Sequence, residues 1–174
     1  MYEFFALSEL MDFSFDGYKL KKMLESKLDF KQKVSFGVIY PLLNRMEKEG
    51  LITLEQTSKN NLRASKKATI TKKGRQKFLL LMKQPVAINQ NSQLFYDLKV
   101  NSLHLVDNQV KEQVLQAYLE YLEDNLQHND DWINHMMNNS EISSGDLEDA
   151  KNYYHLRKAR YESSREIITK IEGQ

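Results

Sequence analysis

The side chains between Ser35 and Arg45 have the chemistry of a surface that binds nucleic acid. A hydroxyl and a guanidinium can donate hydrogen bonds to phosphate oxygens, whereas the amide of Asn44 can pair with a base edge. Glycine at position 37 carries no side chain and so allows a close approach by another backbone. Cationic, hydrogen-bonding and apolar groups are combined here, as contact with both phosphates and bases requires. The candidate contacts on this segment are Ser35, Gly37, Val38, Tyr40, Pro41, Asn44 and Arg45.

The pattern of apolar residues predicts that this segment is a helix. Ser35 is placed to cap the first turn with its hydroxyl, and Gly50 is placed to end the helix. Pro41 removes one backbone hydrogen bond, which costs less near the start of a helix than in its middle. The residues expected to face the core are Ile39, Leu43 and Met46.

The surrounding sequence predicts the elements that hold this helix. Two helices precede it, the second capped by Asp16, and the strands "LITLEQ" and "ATIT" follow it. Thr71 is a plausible N-cap for a fourth helix. Three helices followed by a basic β-hairpin is the order of a winged helix-turn-helix, in which the third helix enters the DNA major groove. We therefore predict a mainly α fold, α+β by virtue of a two-stranded β-hairpin wing.

The charge of the chain divides between its two halves. Residues 1–85 contain 17 Lys and Arg against nine Asp and Glu, a net charge of +8, whereas residues 86–174 contain eight against 15, a net charge of −7. This division favours a basic half that meets a polyanion, although charge can also drift along a soluble chain without such a role. The further candidates for DNA contact, on the second helix and the wing, are Tyr18, Lys19, Lys22, Arg63, Lys66 and Lys67.

Beyond Pro85 the sequence predicts long helices. Asp107 opens one of about thirty residues, and a second closes the chain with apolar residues at near-heptad spacing, among them Leu147, Tyr154 and Ile168. We interpret this half as a helix-pairing surface between two copies of the chain. The predicted domains are a DNA-binding domain at 1–85 and a helical dimerisation domain, with a possible effector site, at 86–174.

Other classes of function find little support in the sequence. There is no cysteine, no recognisable signal peptide and no apolar run of membrane-spanning length, which fits a cytoplasmic protein. No catalytic motif stands out, so an enzyme is not expected. His128, Asp131 and His135 lie near one helical face and could share a metal, but no recognised ligand motif supports this reading and we predict neither metal nor cofactor.

The stretch from Gly17 to Leu51 closely resembles the N-terminal domain of the PadR family of bacterial transcriptional regulators. The wing departs from the family pattern, since it lacks the usual glycine and proline and has Ala68 where an aromatic residue is common. The positions that match the family pattern are Gly17, Tyr18, Ser35, Gly37, Ile39, Tyr40, Pro41, Leu43, Arg45, Met46, Glu47, Glu49, Gly50 and Leu51, then Ile70, Thr71, Gly74 and Arg75.

This resemblance implies a sequence-specific repressor that binds a palindromic operator in double-stranded DNA as a homodimer. It also implies possible release by a small aromatic ligand such as a phenolic acid. The alternative is a helical protein-interaction module whose basic half binds an acidic partner. Aromatic and methionine residues at helical spacing are more often core or dimer packing than a ligand site. With that reservation, the candidate effector residues are Phe95, Tyr118, Tyr121, Trp132 and Met136.

Overall fold

The structure is a computed structural model that describes residues 1–28, 33–56 and 66–172. The chain divides into two compact units, Met1–Val110 and Lys111–Gln174. Within the described residues, none of the helices combines the length and the apolarity needed to cross a membrane.

The first unit contains the four predicted helices around a small sheet, so the predicted winged-helix fold is confirmed. Two of the predicted caps form: the Asp16 carboxylate accepts from the backbone N–H of Lys19 at 2.8 Å, and the Thr71 hydroxyl accepts from that of Gly74 at 3.1 Å. The elements of the first unit are α1 (Tyr2–Glu9), β1 (Phe15–Asp16), α2 (Gly17–Lys27), α3 (Phe36–Lys48), β2 (Ile52–Gln56), β3 (Lys66–Ile70), α4 (Lys72–Lys83), α5 (Ser92–Val100) and a 3-10 turn (Leu103–Leu105).

The sheet has three strands instead of the two predicted from the sequence. The wing, which we define as the hairpin of β2 and β3, pairs antiparallel with Ile52 opposite Ile70 and Glu55 opposite Lys67. On the other side of β3, β1 pairs Phe15 with Ala68 and Asp16 with Lys67. The base of β3 is therefore bonded on both edges, and Ala68 at its centre is fully buried.

The core of this unit forms from the residues that the helical period placed inward. Ile39, Leu43 and Met46 of α3 are each no more than 2% exposed, as predicted. Phe4 of α1 stacks on Phe78 of α4 at a centroid distance of 5.6 Å. Burial of side chains of this size stabilises a fold by about 1.5–3 kcal/mol each.

The end of α3 is tied to the start of α4. Gly50 follows the helix with φ 71°, the left-handed conformation that glycine adopts without strain, and the Leu51 N–H bonds the Met46 carbonyl at 2.9 Å. The Leu51 carbonyl in turn accepts from the Thr71 N–H at 3.0 Å. Gly74 packs so closely on this crossing that a Cβ at its position would lie 2.1 Å from the Leu51 oxygen. The C-terminal end of α3 is thereby fixed.

A buried lysine joins α5 to α4. Lys99 is 3% exposed, and its ammonium donates to the carbonyls of Met82 at 3.0 Å and Gln84 at 2.5 Å. These carbonyls end α4, so Lys99 acts as a cap for that helix. Burial lowers the pKa of Lys99 to about 8. Residues 86–110 thus belong to the first compact unit, which extends past the predicted domain boundary at residue 85. The assignment of DNA binding to 1–85 and of dimerisation to 86–174 concerns function and stays a prediction.

The second unit consists mainly of two long helices, α6 (Asn108–Met137) and α7 (Ser144–Glu172). As predicted, the Asp107 carboxylate caps α6 by accepting from the Val110 N–H at 2.9 Å. Arg157 of α7 donates to the Asn125 side chain of α6 at 2.8 Å. In the predicted heptad stripe of α7, Ile168 is already buried within a single chain, whereas Leu156 and Ile167 outside the stripe are exposed.

Candidate nucleic-acid interface

The outer face of α3 carries most of the residues predicted to contact DNA. Tyr40 is 46% exposed, Pro41 and Asn44 are also exposed, and Val38 is half-buried. Since Ile39 and Leu43 face the core, the helical period forces these neighbours outward. The structure therefore leaves a mixed apolar and hydrogen-bonding surface along α3.

The start of α3 departs from prediction in one respect. Ser35 occupies the N-cap position, but among the described residues its hydroxyl accepts from no backbone N–H of the first turn. Its carbonyl accepts from the Val38 N–H instead, at 3.1 Å. The exposed Ser35 hydroxyl is thus left to other partners. Gly37 is also exposed, and among the described residues the nearest atom to an added Cβ would be the Ser35 hydroxyl oxygen, at 3.4 Å.

Arg45 is exposed but is not free of charge partners. Its guanidinium donates to the Glu3 carboxylate of α1 at 3.0 Å and lies 3.8 Å from that of Glu49. Arg45 and Glu3 also border a cleft between α1 and α3, together with Val38 and Pro41. Exposed ion pairs of this kind contribute only about 0–1 kcal/mol, so Arg45 can exchange Glu3 for another anion at little cost.

A row of three exposed aromatic rings runs beside α3, which we call the aromatic row: Tyr18, Phe36 and Tyr40. Phe36 lies in the middle, at centroid distances of 6.4 Å from Tyr18 and 5.6 Å from Tyr40, with interplanar angles of 25° and 23°. Gly17 lets Tyr40 lie against α2, because a Cβ there would come within 2.9 Å of the Tyr40 ring. Phe36 is absent from the contacts predicted from sequence. It lies three residues before Ile39 and seven before Leu43, a spacing that is typical of the core face and gives no sign of an exposed contact.

The lysines of α2 have different roles. Lys19 and Lys22 are exposed, and the Lys22 ammonium lies 5.9 Å from the centroid of Tyr18. The Lys22 ammonium also lies 3.6 Å from the Glu25 carboxylate, with its side chain 54% exposed. Lys21 is held more closely against Glu25, at 2.7 Å with its side chain 14% exposed, and so serves the fold. That hydrogen bond, together with one from the Val34 N–H, lowers the pKa of Glu25 to about 2. Glu25 thereby connects α2 to the segment that precedes α3.

The wing supplies two further cations. Lys66 and Lys67 are exposed on β3, where Lys67 is paired with Asp16 of β1 and with Glu55 of β2 in the register of the sheet. Arg63, the third cation predicted for the wing, lies outside the described residues. The described cations therefore lie on α2 and the wing as well as on α3.

The five predicted effector residues fall in different compact units. Phe95 belongs to the first unit, where it packs edge-on against Phe4 at 5.2 Å. In the second unit Tyr118 and Met136 are buried and Tyr121 is half-buried. Trp132 is 52% exposed and borders a cleft with Ile133 and Tyr153. A ligand site at these five residues stays a prediction.

The metal alternative gains no support from the geometry. Among the described residues, no three His, Asp or Glu side chains come together in a way that could hold a metal ion. Of the three candidates, His135 has its ring stacked on Trp132 at 5.4 Å, while Asp131 accepts a hydrogen bond from Gln127 at 2.9 Å.

Comparison with known proteins gives a family match and several similar structures. Residues 7–79 match the model of the family described as Transcriptional regulator PadR-like family. The crystal structure of Bacillus subtilis PadR in complex with operator DNA is 18% identical, with a TM-score of 0.45 and coverage of 96% of each chain.

Two further structures have comparable similarity. Bacillus subtilis PadR in complex with p-coumaric acid is 18% identical, with a TM-score of 0.41 and coverage of 98% of this chain and 94% of that one. The PadR-like transcriptional regulator BC1756 from Bacillus cereus is 20% identical, with a TM-score of 0.40 and coverage of 99% of each chain. No curated protein matches the chain significantly.

The family match extends from α1 to α4 and includes α2, α3 and the wing, the elements that carry the exposed aromatic and cationic side chains. Residues 7–79 therefore form a domain of the PadR-like family, whose members are transcriptional regulators and not enzymes.

Proposed function

We propose that this protein is a cytoplasmic, sequence-specific DNA-binding regulator that represses transcription by binding a palindromic operator as a homodimer. The observation that carries the proposal is the outer face of α3. Tyr40, Asn44 and Arg45 are exposed there on a helix whose inner face is packed into a winged-helix core. Side chains so placed are available to base edges in a major groove.

Contacts to the DNA backbone come from the flanking elements. Lys19 and Lys22 of α2 are assigned to one phosphate strand, and Lys66, Lys67 and Arg63 to another. Such contacts set the affinity and its salt dependence without reading sequence, whereas Asn44 with adenine or Arg45 with guanine would supply about 1–3 kcal/mol of discrimination each.

Dimerisation is assigned to the long helices. Leu156 and Ile167 of α7 are 71% and 54% exposed in a single chain. Exposed apolar side chains along a helix favour a second helix as partner. Two winged domains related by a two-fold axis require half-sites about one helical turn, ~34–36 Å, apart. The acidic half of the chain would be repelled by the DNA and so help to present the basic half.

We further propose that a small aromatic molecule, such as a phenolic acid, releases the protein from DNA. Trp132 in its exposed cleft is the candidate residue best placed to contact such a ligand. The ligand would act by favouring a state that binds the operator less well, and a coupling of about 1–3 kcal/mol is typical of such effects.

The test of DNA recognition is a binding assay with the full chain and DNA from upstream of its own gene, against a scrambled duplex of equal length. We expect tighter binding to the upstream duplex and an affinity that falls steeply as salt rises. Equal affinity for both duplexes would remove the sequence-specific function and favour the alternative, a basic module that binds an acidic partner.

Substitutions on α3 give the sharper test. Tyr40→Ala and Arg45→Ala should each abolish the preference for the upstream duplex while the oligomeric state, measured by light scattering, is unchanged. Arg160→Ala is the matched control, because it removes an exposed guanidinium from α7 and should leave the preference intact. Loss of the dimer in the α3 variants would contradict the assigned roles.

A further inference from the structure

Phe36 is a large apolar side chain at the exposed start of α3. It is the first residue of the helix, and its side chain is 43% exposed. The ring is held between Tyr18 and Tyr40, and the Lys21 ammonium lies 5.2 Å from its centroid. These neighbours restrict the rotation of the phenyl ring, while 43% of the side chain stays exposed.

An exposed, fixed phenyl ring at this position has a restricted choice of partner on DNA. It carries no hydrogen-bonding group, so it gains nothing from phosphate oxygens or from the polar edges of guanine, cytosine or adenine. The C5-methyl group of thymine is the apolar group that a major-groove base edge offers, and Phe is one of the residues suited to contact it. Residues near the N-terminus of a recognition helix are those that reach base edges.

Building on the proposed function, we propose that Phe36 reads a thymine methyl group in each half-site of the operator. Tyr18 and Tyr40 act as positioning residues for it, because their rings limit its rotation. The Lys21 ammonium forms an ion pair with the Glu25 carboxylate at 2.7 Å. Lys21 therefore borders the aromatic row without being assigned to a phosphate contact. Specificity at this base pair would come from an apolar contact and not from a hydrogen bond.

The experiment removes the methyl group alone. Operator duplexes, identified by footprinting with the full-length protein, are synthesised with deoxyuridine in place of thymidine at one symmetric pair of positions at a time. Deoxyuridine keeps the base pairing of thymidine. For the unmodified chain we expect about a fourfold loss of affinity per half-site at one position, the fold-change that corresponds to burial of one methyl group at ~0.8 kcal/mol.

Two variants assign that loss to Phe36. Phe36→Ala should bind thymidine and deoxyuridine operators equally at the sensitive position, and Phe36→Ser serves if the alanine variant loses its helical circular dichroism. Phe13→Ala is the matched control, because Phe13 is 69% exposed in the same unit but outside the aromatic row, and it should discriminate like the unmodified chain.

The outcomes separate this inference from the function on which it rests. If the unmodified chain binds all duplexes alike, the proposed function fails and this inference fails with it. If operator binding is specific but Phe36→Ala retains the full discrimination between thymidine and deoxyuridine, the inference alone is overturned. Absence of any position sensitive to deoxyuridine in the unmodified chain would overturn it as well.

Discussion

The ion pair between Glu3 and Arg45 makes a measurable prediction about DNA affinity. In the free protein the Arg45 guanidinium donates to the Glu3 carboxylate at 3.0 Å, with 56% of the Arg45 side chain and 21% of the Glu3 side chain exposed. To contact DNA, Arg45 must give up that partner, and the remaining carboxylate then faces the phosphates. Glu3→Gln removes the charge while keeping the shape of the side chain, so we expect tighter operator binding.

The magnitude follows from the exposure of the pair. Exposed ion pairs contribute about 0.2–1 kcal/mol, which corresponds to a decrease in Kd of roughly 1.4- to fivefold. The gain should shrink as salt rises, because the Debye length falls from about 10 Å at 0.1 M to 3 Å at 1 M. Fluorescence anisotropy with a labelled operator at two salt concentrations measures both effects.

A double-mutant cycle with Arg45→Ala identifies the cause. If Glu3 acts by occupying Arg45, most of the gain from Glu3→Gln should disappear in the Arg45→Ala background. Glu162→Gln is the control, since it removes a carboxylate from another exposed pair, with Lys158 at 4.0 Å on α7. A Glu3→Gln variant that binds no more tightly, or an undiminished gain without Arg45, would refute the reasoning.

Three further predictions concern stability. Gly37→Ala should raise the free energy of unfolding by about 0.5–1 kcal/mol, because alanine is the better helix former. In the described part of the chain its Cβ would meet the Ser35 oxygen at 3.4 Å, an ordinary contact. Urea unfolding and operator titration should show greater stability with weaker DNA binding. Gly74→Ala should lower Tm through a loss of about 1–3 kcal/mol or more, since its Cβ would lie 2.1 Å from the Leu51 carbonyl oxygen; an unchanged Tm would contradict the packing. The pKa of Lys99 is lowered to about 8 from 10.5, so between these values the folded state binds fewer protons than the unfolded state and stability should rise with pH. Urea unfolding of the unmodified chain from pH 7.5 to 10, compared with Lys99→Met, should show this rise in stability. The rise should be at most ~1.4 kcal/mol per pH unit, and a fall in stability over this range would contradict the prediction.

Short-range sequence signals predicted helix caps, the core-facing residues of α3 and the order of the elements in the winged helix. Asp16 and Thr71 cap their helices as expected because a cap depends on residues two or three positions away. The inward residues of α3 followed from the 3.6-residue period, which is a property of the helix itself. The order of helices and strands that identified the winged helix came from these same short-range signals.

The features that sequence reasoning missed depend on distant residues. Strand β1 exists because Phe15 meets Ala68, 53 positions later, and the Arg45 pair with Glu3 spans 42 positions. Lys99 is buried because the end of α4 offers two carbonyls to its ammonium. A lysine or an arginine read in isolation predicts exposure, and only the fold reveals a partner.

The attachment of α3 through its C-terminal end has a consequence for engineering. Gly50, Leu51 and Thr71 fix that end, and Ile39 and Leu43 anchor the inner face in the core. Exposed side chains on the outer face therefore contribute less to holding the domain together. New operator preferences could therefore be selected from a library randomised at Tyr40 and Asn44, with most members expected to stay folded. The same scaffold would then serve as a source of orthogonal DNA-binding regulators for genetic circuits.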